Sequence, residues 1–249
     1  MNMMIRTAFA CLLSACALLA TAPAQAQVIV HGTRQIFPGD QREITVRVEN
    51  VGQRASLIQA WTDDGDKSAS PEEASTPFVL RPPVFRLDPG KSQAMRVMFT
   101  GGNLPQDRES IYWLNVLDIP PTPEADATAS GNFLQFSLRT RIKLIYRPTG
   151  LKDAGQAAQA LTWSLQHDAQ GWFLQATNPT PFYVHLSTLA LRVQGKDFPS
   201  TEPPMLAPLS SQRYRLSGLT AAPAAGNVQF THINDAGGVT AHSVSLPMP

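Results

Sequence analysis

The sequence contains little cysteine: Cys11 and Cys16 are the only two in 249 residues. Both lie in residues 1–26, a segment whose pattern is typical of a secretory signal peptide. Removal of this segment would leave a mature chain without cysteine, in a compartment that permits disulfide bonds. The small disulfide-stabilised scaffolds are therefore excluded, and packed hydrophobic cores have to stabilise the fold.

The signal peptide is indicated by Arg6, an apolar run over 8–20 and the small-residue site Ala24-Gln25-Ala26. Cleavage at this site makes Gln27 the first mature residue. An alternative stays open, because Leu13-Ser14-Ala15-Cys16 also resembles a lipoprotein processing box that would place a lipid on Cys16. The residues that follow this cysteine are still apolar, which favours simple cleavage over lipidation.

Long apolar runs and an excess of one charge are also missing. After residue 26, no stretch approaches the ~18 consecutive apolar residues of a membrane-spanning helix. The whole chain carries a net charge of +1, and removal of Arg6 makes the mature chain neutral. A broad basic face for nucleic acid is disfavoured, so we expect no nucleic-acid partner.

Motifs of catalysis, metal binding and phosphate binding are absent as well. Asp63-Asp64-Gly65-Asp66 lacks the closing Glu that a calcium loop needs, so it predicts a solvated turn. No Gly-x-Ser-x-Gly turn and no glycine-rich phosphate loop occur. The histidines are scattered without zinc-type spacing; they are His31, His167, His185, His232 and His242. The protein is therefore predicted not to be an enzyme.

Short β-strand patterns separated by turn residues fill the chain instead, and no segment predicts an amphipathic helix. Seven such patterns over about 100 residues are typical of an immunoglobulin-like sandwich. A second series of six follows the linker Pro148-Thr149-Gly150. We predict an all-β protein with two immunoglobulin-like domains, residues 27–148 and 149–249, in which Trp61 and Trp113 belong to the core. The strand patterns cover 28–37, 43–49, 56–62, 78–87, 93–100, 110–119 and the segment described next, then 161–165, 172–177, 182–193, 212–216, 228–233 and 240–246.

The segment 132–148 is unusual in its length. From Leu134 to Tyr146 every second residue is apolar or nearly so, which predicts a half-buried strand. At about 3.3 Å per residue this strand would be roughly 50 Å long, against the usual ~17–20 Å. Cations occupy alternate positions, and we expect Arg139 and Arg141 to face solvent or to lie at the rim of the site.

Several motifs along the chain together resemble the periplasmic pilus-assembly chaperones, the PapD-like family. They occur in the family's order and span nearly the whole mature chain. The motifs are Thr33-Arg34 with Ile36-Phe37, the segments 82–90, 104–116 and 140–148, and then Asn178-Pro179-Thr180-Pro181-Phe182 and Ile233-Asn234-Asp235.

The resemblance implies two immunoglobulin-like domains in an L or boomerang shape, with a cleft between them. It implies a periplasmic chaperone that binds pilin subunits lacking their last strand. The chaperone lends a strand of its own, called donor-strand complementation, and delivers the subunit to an outer-membrane usher without ATP, metal or cofactor. Strand addition of this kind satisfies exposed backbone groups and fills apolar pockets with alternate side chains.

The resemblance also assigns residues to this task. Leu134, Phe136 and Leu138 match the donor residues of the strand, which explains its extra length. Arg34 and Lys143 match the two cations that anchor the carboxylate at the C-terminus of the pilin. Losing one such charged partner in a partly desolvated cleft would cost ~2–5 kcal/mol.

Two further expectations come from the resemblance. Glu109, Arg147 and Asp235 match a salt-bridge network between the domains, and the exposed donor edge makes a self-capping dimer of free chaperone plausible. The rival interpretation is a two-domain, adhesin-like surface sandwich. Such a protein would not need cations at both Arg34 and Lys143.

Overall fold

A computed structural model of the protein describes residues 27–122, 135–201 and 205–246. The predicted signal peptide and Leu134 lie outside these residues. Among them, no helix is long and apolar enough to cross a membrane. The described part of the first domain contains nine strands: β1 (Val28–Val30), β2 (Arg34–Pro38), β3 (Glu43–Asn50), β4 (Ser56–Asp63), β5 (Phe78–Arg81), β6 (Val84–Leu87), β7 (Ser92–Phe99), β8 (Ser110–Ile119) and β9 (Leu138–Arg147).

These nine strands form two sheets that face each other across a hydrophobic core. One sheet has the order β1-β3-β7-β5 and is antiparallel. The other has the order β2-β9-β8-β4-β6, and its β2–β9 pair is parallel. The largest fully buried side chains of this core include Phe37, Ile58, Met95, Leu114 and Leu144.

Two segments predicted as single strands are each divided between the two sheets. The segment 28–37 breaks at Gly32, whose φ of +90° lies in the left-handed region that side chains rarely adopt. The segment 78–87 breaks at Pro82 and Pro83, which have no backbone N–H to donate to a ladder. In both places the chain leaves one sheet and joins the other, so the two segments connect the sheets at their edges.

The strand predicted from Leu134 is shorter than expected: its described part begins at Leu138, and Phe136 lies outside it. The partner strand β8 ends at Ile119 and is followed by Pro120 and Pro121, which cannot extend the ladder. The residues before Leu138 therefore have no strand to pair with among the described residues.

The second domain is also a two-sheet sandwich, preceded by a short 3-10 helix at Ala154–Gln156. Its sheets have the orders β10-β11-β15 and β13-β12-β16-β17, with β14 paired to β12. Two of its strands, β13 and β14, had not been predicted. The two-domain, all-β prediction is confirmed. The strands are β10 (Thr162–Asp168), β11 (Gly171–Asn178), β12 (Val184–Val193), β13 (Lys196–Pro199), β14 (Met205–Leu206), β15 (Ser210–Arg215), β16 (Gly226–Ile233) and β17 (Val239–Leu246).

Candidate functional site between the two domains

Four side chains form a row across the outer face of the β2-β9-β8-β4-β6 sheet. Arg34 is the register partner of Lys143, Lys143 of Trp113, and Trp113 of Asp63. Directly opposed residues on neighbouring strands share a face, so these four lie side by side. The row places two cations at the edge of the sheet that borders the second domain.

The edge of β9 is covered only in part. β2 pairs with residues 143–147 of β9, and within the described residues no strand pairs with 138–142 on that side. On the inward face of β9, Ile142, Leu144 and Tyr146 are buried in the core. Leu138 and Phe136 continue this alternation towards the start of the strand and beyond it. Leu138 is 50% exposed, and Phe136, which lies just before the strand, is 74% exposed. The strand thus starts outside the sandwich, with an open edge and two exposed apolar side chains.

Lys143 has no carboxylate partner among the described residues. Its ammonium lies 4.9 Å from the centre of the Trp113 ring, a cation–π contact. Burial, followed by the charges of Arg34 and Arg141, lowers the pKa of Lys143 below its ordinary value. The site therefore holds a positive charge, that of Lys143, which no acid in the described part of the chain pairs with.

Arg34 is held by the second domain. Its Nη1 donates to the carbonyl oxygen of Ile233 at 2.9 Å, and its Nη2 lies 3.1 Å from Nδ1 of His185. Because a guanidinium only donates, Nδ1 of His185 must accept, and the neutral ring carries its proton on Nε2. The buried Nε of Arg34 has no hydrogen-bond partner. A donor of this kind, beside Lys143, is suited to an anion.

His185 gives a test of this geometry. Burial, then the charges of Lys143 and Arg34, lowers its pKa from 6.5 to about 4. The unfolded chain takes up this proton as the pH falls through 6.5, whereas the folded protein does so only near pH 4. Stability should therefore fall as the pH drops from about 6.5 to 4, by about 2 kcal/mol for this partly buried group.

His185→Gln should remove that part of the pH dependence while retaining an acceptor for Arg34. The measurement is urea unfolding at several pH values between 4 and 7, with His167→Gln on β10 as the control. Equal pH slopes for wild type and His185→Gln would contradict the assignment.

Asp63 was wrongly predicted to belong to a solvated turn. Arg139 and Arg141, expected to face solvent or to lie at the rim, lie beside this buried acid with side chains 28% and 14% exposed. The Asp63 side chain is 1% exposed. Its carboxylate accepts hydrogen bonds from Nη2 of Arg141 at 2.5 Å and from Nε of Arg141 at 3.1 Å. Arg141 stacks over Trp113 at 4.0 Å, and Arg139 over Trp61 at 4.6 Å. In a strand that continues from 56–62 through residue 63, Asp63 lies on the same face as Trp61. Extending the predicted strand by this one residue would have placed Asp63 on the sheet rather than in the turn.

The three residues of the predicted interdomain network do lie together. Arg147 donates through Nε to Glu109 at 2.7 Å and through Nη1 to Asp235 at 2.7 Å. Glu109 also accepts from the Tyr183 backbone N–H at 2.7 Å. Burial raises the pKa of Glu109, although Arg147 and that N–H oppose the shift. The network is buried at Glu109, whose side chain is 1% exposed, and open to solvent at Asp235, whose side chain is 51% exposed.

A cavity of about 410 Å³ lies between the domains. Arg34, Glu109, His185, His232 and Asp235 are among the residues that line it. Arg34 thus borders the same cleft as Glu109 and Asp235 of the interdomain network.

Family models match both domains of the chain. The model described as "Pili and flagellar-assembly chaperone, PapD N-terminal domain" matches residues 27–152. The model described as "Pili assembly chaperone PapD, C-terminal domain" matches residues 156–244. The chain belongs to the PapD family of pilus-assembly chaperones.

Individual PapD-family proteins are similar over most of their length. The chain is 43% identical to the chaperone protein FimB/FhaD of Bordetella pertussis over 242 residues, 94% of each chain. It is 41% identical to the probable fimbrial chaperone YadV of Escherichia coli over 215 residues, 86% of this chain and 87% of that one. The YadV crystal structure superposes with a TM-score of 0.76 and covers 89% of this chain and 100% of that one.

A third relative was solved together with its partner. That structure is described as the Salmonella enterica SafA pilin in complex with the SafB chaperone. It matches with a TM-score of 0.73 at 28% identity and covers 91% of this chain and 99% of that one.

Proposed function

We propose that this PapD-family chaperone works in the periplasm and binds pilin subunits by adding the start of β9 to their incomplete sandwich. The observation that carries the proposal is the open edge of β9 over 138–142, which ends at Arg34 and Lys143. An open edge offers unpaired backbone groups to another chain, and here Lys143, which has no acid partner among the described residues, lies at its end beside Arg34.

The direction of the added strand follows from the same geometry. β2 occupies the edge of β9 from Lys143 onwards and runs parallel to it, so an added strand has to stop where Arg34 begins. A strand that ends there with its C-terminus also runs parallel to β9. Its terminal carboxylate then meets Lys143 and the Nε of Arg34, whose charges favour it over a neutral group.

The apolar residues at the start of β9 supply the side chains for the subunit. Phe136 and Leu138 are exposed in the free protein and lie two residues apart, so they suit pockets on one face of an incomplete sandwich. We assign Leu134 the same role from its spacing, although it lies outside the described residues. The SafB complex with a pilin supports this class of partner.

Release to an outer-membrane usher completes the proposed cycle, by analogy with the family. While no subunit is bound, a second copy of the chaperone is the proposed cover for the open edge, since exposed strand edges tend to pair.

Replacing Phe136 with alanine should weaken subunit binding by about 1.5–3 kcal/mol, the contribution of burying such a side chain. The stability of the free chaperone should not change, because the ring is 74% exposed. Affinity for a recovered subunit and the thermal midpoint measure both effects. Val79→Ala is the control, since this exposed apolar residue lies on β5, in the sheet opposite to that of β9. Equal losses for both variants would argue against strand addition.

Co-expression with the fimbrial subunits of the source organism tests the proposal as a whole. Wild-type chaperone should be recovered from periplasm with one subunit per chaperone. If the exported, folded protein recovers none of them, the proposed binding of pilin subunits through β9 is wrong.

A further inference from the structure

β9 carries four cations on its outward face, each of which could in principle attract a carboxylate. Arg139, Arg141 and Lys143 follow at intervals of two residues, and Arg147 lies four residues further on. Two residues of a strand span about 6.6 Å and return the side chains to the same face. An added strand that slips by two residues therefore keeps its inward side chains inward. Side-chain alternation rejects a slip of one residue but not a slip of two.

Acidic residues engage three of these cations. Arg147 is bound by Glu109 and Asp235. Asp63 binds Arg141 through two nitrogens and lies 3.6 Å from Arg139. In the described part of the chain, Lys143 alone among the four has no acid within ion-pair distance.

The position of Asp63 is determined by several contacts besides the arginines. Its carboxylate accepts from Asn115 Nδ2 at 2.7 Å and from the Gly65 backbone N–H at 2.8 Å. Burial by itself would raise its pKa, but hydrogen bonds from Arg141 and then Asn115 hold the pKa below the ordinary value. The carboxylate stays charged near neutral pH. It is also held on the outer face of β4, two strands away from the open edge.

We propose that Asp63 determines the register of the bound subunit. By engaging Arg141 and Arg139, it leaves Lys143 and Arg34 as the carboxylate site beside the open edge. This inference rests on the proposed function and adds a residue that takes no part in binding itself. Without Asp63, the Arg141 guanidinium becomes a second binding site for the subunit's terminal carboxylate. This site lies two residues before Lys143, towards the start of β9.

The test uses the subunit recovered with wild-type chaperone and compares Lys143→Ala, Asp63→Asn and the double variant. Lys143→Ala should lose on the order of 30-fold or more in affinity. The double variant should bind about tenfold better than Lys143→Ala, because Arg141 is released to take the carboxylate. If Asp63 has only a structural role, the double variant should bind more weakly than Lys143→Ala, because removing a buried acid destabilises the chaperone further. Asp168→Asn, which removes one acid that binds an arginine in the second domain, is the control and should rescue nothing.

Register can be measured directly because residues 27–249 contain no cysteine. With Thr140→Cys on β9 and single cysteines along the subunit's last strand, the preferred disulfide partner should move by two residues when Lys143→Ala is combined with Asp63→Asn. If Asp63→Asn prevents folding, adding Arg139→Gln removes one of the two unpaired guanidinium groups and retains Arg141.

The outcomes separate the two proposals. Loss with Lys143→Ala but no rescue and no shift of register overturns the role of Asp63 and leaves strand addition intact. Failure of the wild type to bind any subunit overturns both.

Discussion

Lys143→Ala is expected to abolish recovery of a subunit complex while leaving the chaperone folded. The loss should be about 2–5 kcal/mol, because the terminal carboxylate would enter a partly desolvated cleft without its main counter-charge. The free chaperone should be as stable as wild type or slightly more stable. In the free protein Lys143 has no acid beside it among the described residues, and Arg34 and Arg141 disfavour its charge.

Affinity by titration calorimetry and stability by urea unfolding measure the two effects separately. Lys91→Ala, at an exposed position of the first domain, controls for removal of one positive charge. A subunit extended by one C-terminal residue provides a second control, since its carboxylate is displaced from the site. If Lys143→Ala binds like wild type, the anchor assignment is wrong, although strand addition through β9 can still hold.

Glu109→Ala is expected to have the largest effect on stability, about 3–5 kcal/mol of unfolding free energy. The substitution leaves Arg147 without its buried partner and the Tyr183 N–H without an acceptor. Asp235→Asn should cost no more than about 1 kcal/mol, because the Asp235 side chain is 51% exposed and water replaces its contact.

Urea unfolding followed by far-ultraviolet circular dichroism compares the two variants of this network. Both remove one acid that binds Arg147, but only Glu109→Ala removes a buried acid and the acceptor of the Tyr183 N–H. Separate unfolding of the two domains in Glu109→Ala would agree with a role in joining them. Equal costs for Glu109→Ala and Asp235→Asn would show that burial does not control the strength of the network.

Much of the fold could be predicted from the sequence because strand alternation and turn residues are local signals. The core positions of β9 from Ile142 to Tyr146 follow from period-2 spacing alone. The division of 28–37 and 78–87 between two sheets could not be predicted in this way, because it depends on which neighbours the strand ends meet in the folded chain.

The residues of the candidate site also divide into those that the sequence predicted and those that it did not. Arg34, Lys143 and the network around Glu109 came from resemblance to a family, and the structure brings them to one cleft. Asp63 and His185 were missed, since their roles arise from contacts across strands and across domains. Asp63 is 78 residues from Arg141, and His185 is 151 from Arg34. A motif read along the chain carries no information about such pairs.

The partial exposure of β9 means that folding of the first domain and binding of a subunit depend on different parts of one segment. Its second half packs in the core of the first domain, whereas residues 135–138 are exposed. Substitutions there can change which subunits are accepted without a cost in folding. Exchanging residues 135–138 between related chaperones is therefore a practical route to altered partner choice, and the same freedom would let natural chaperones diverge along with their subunits.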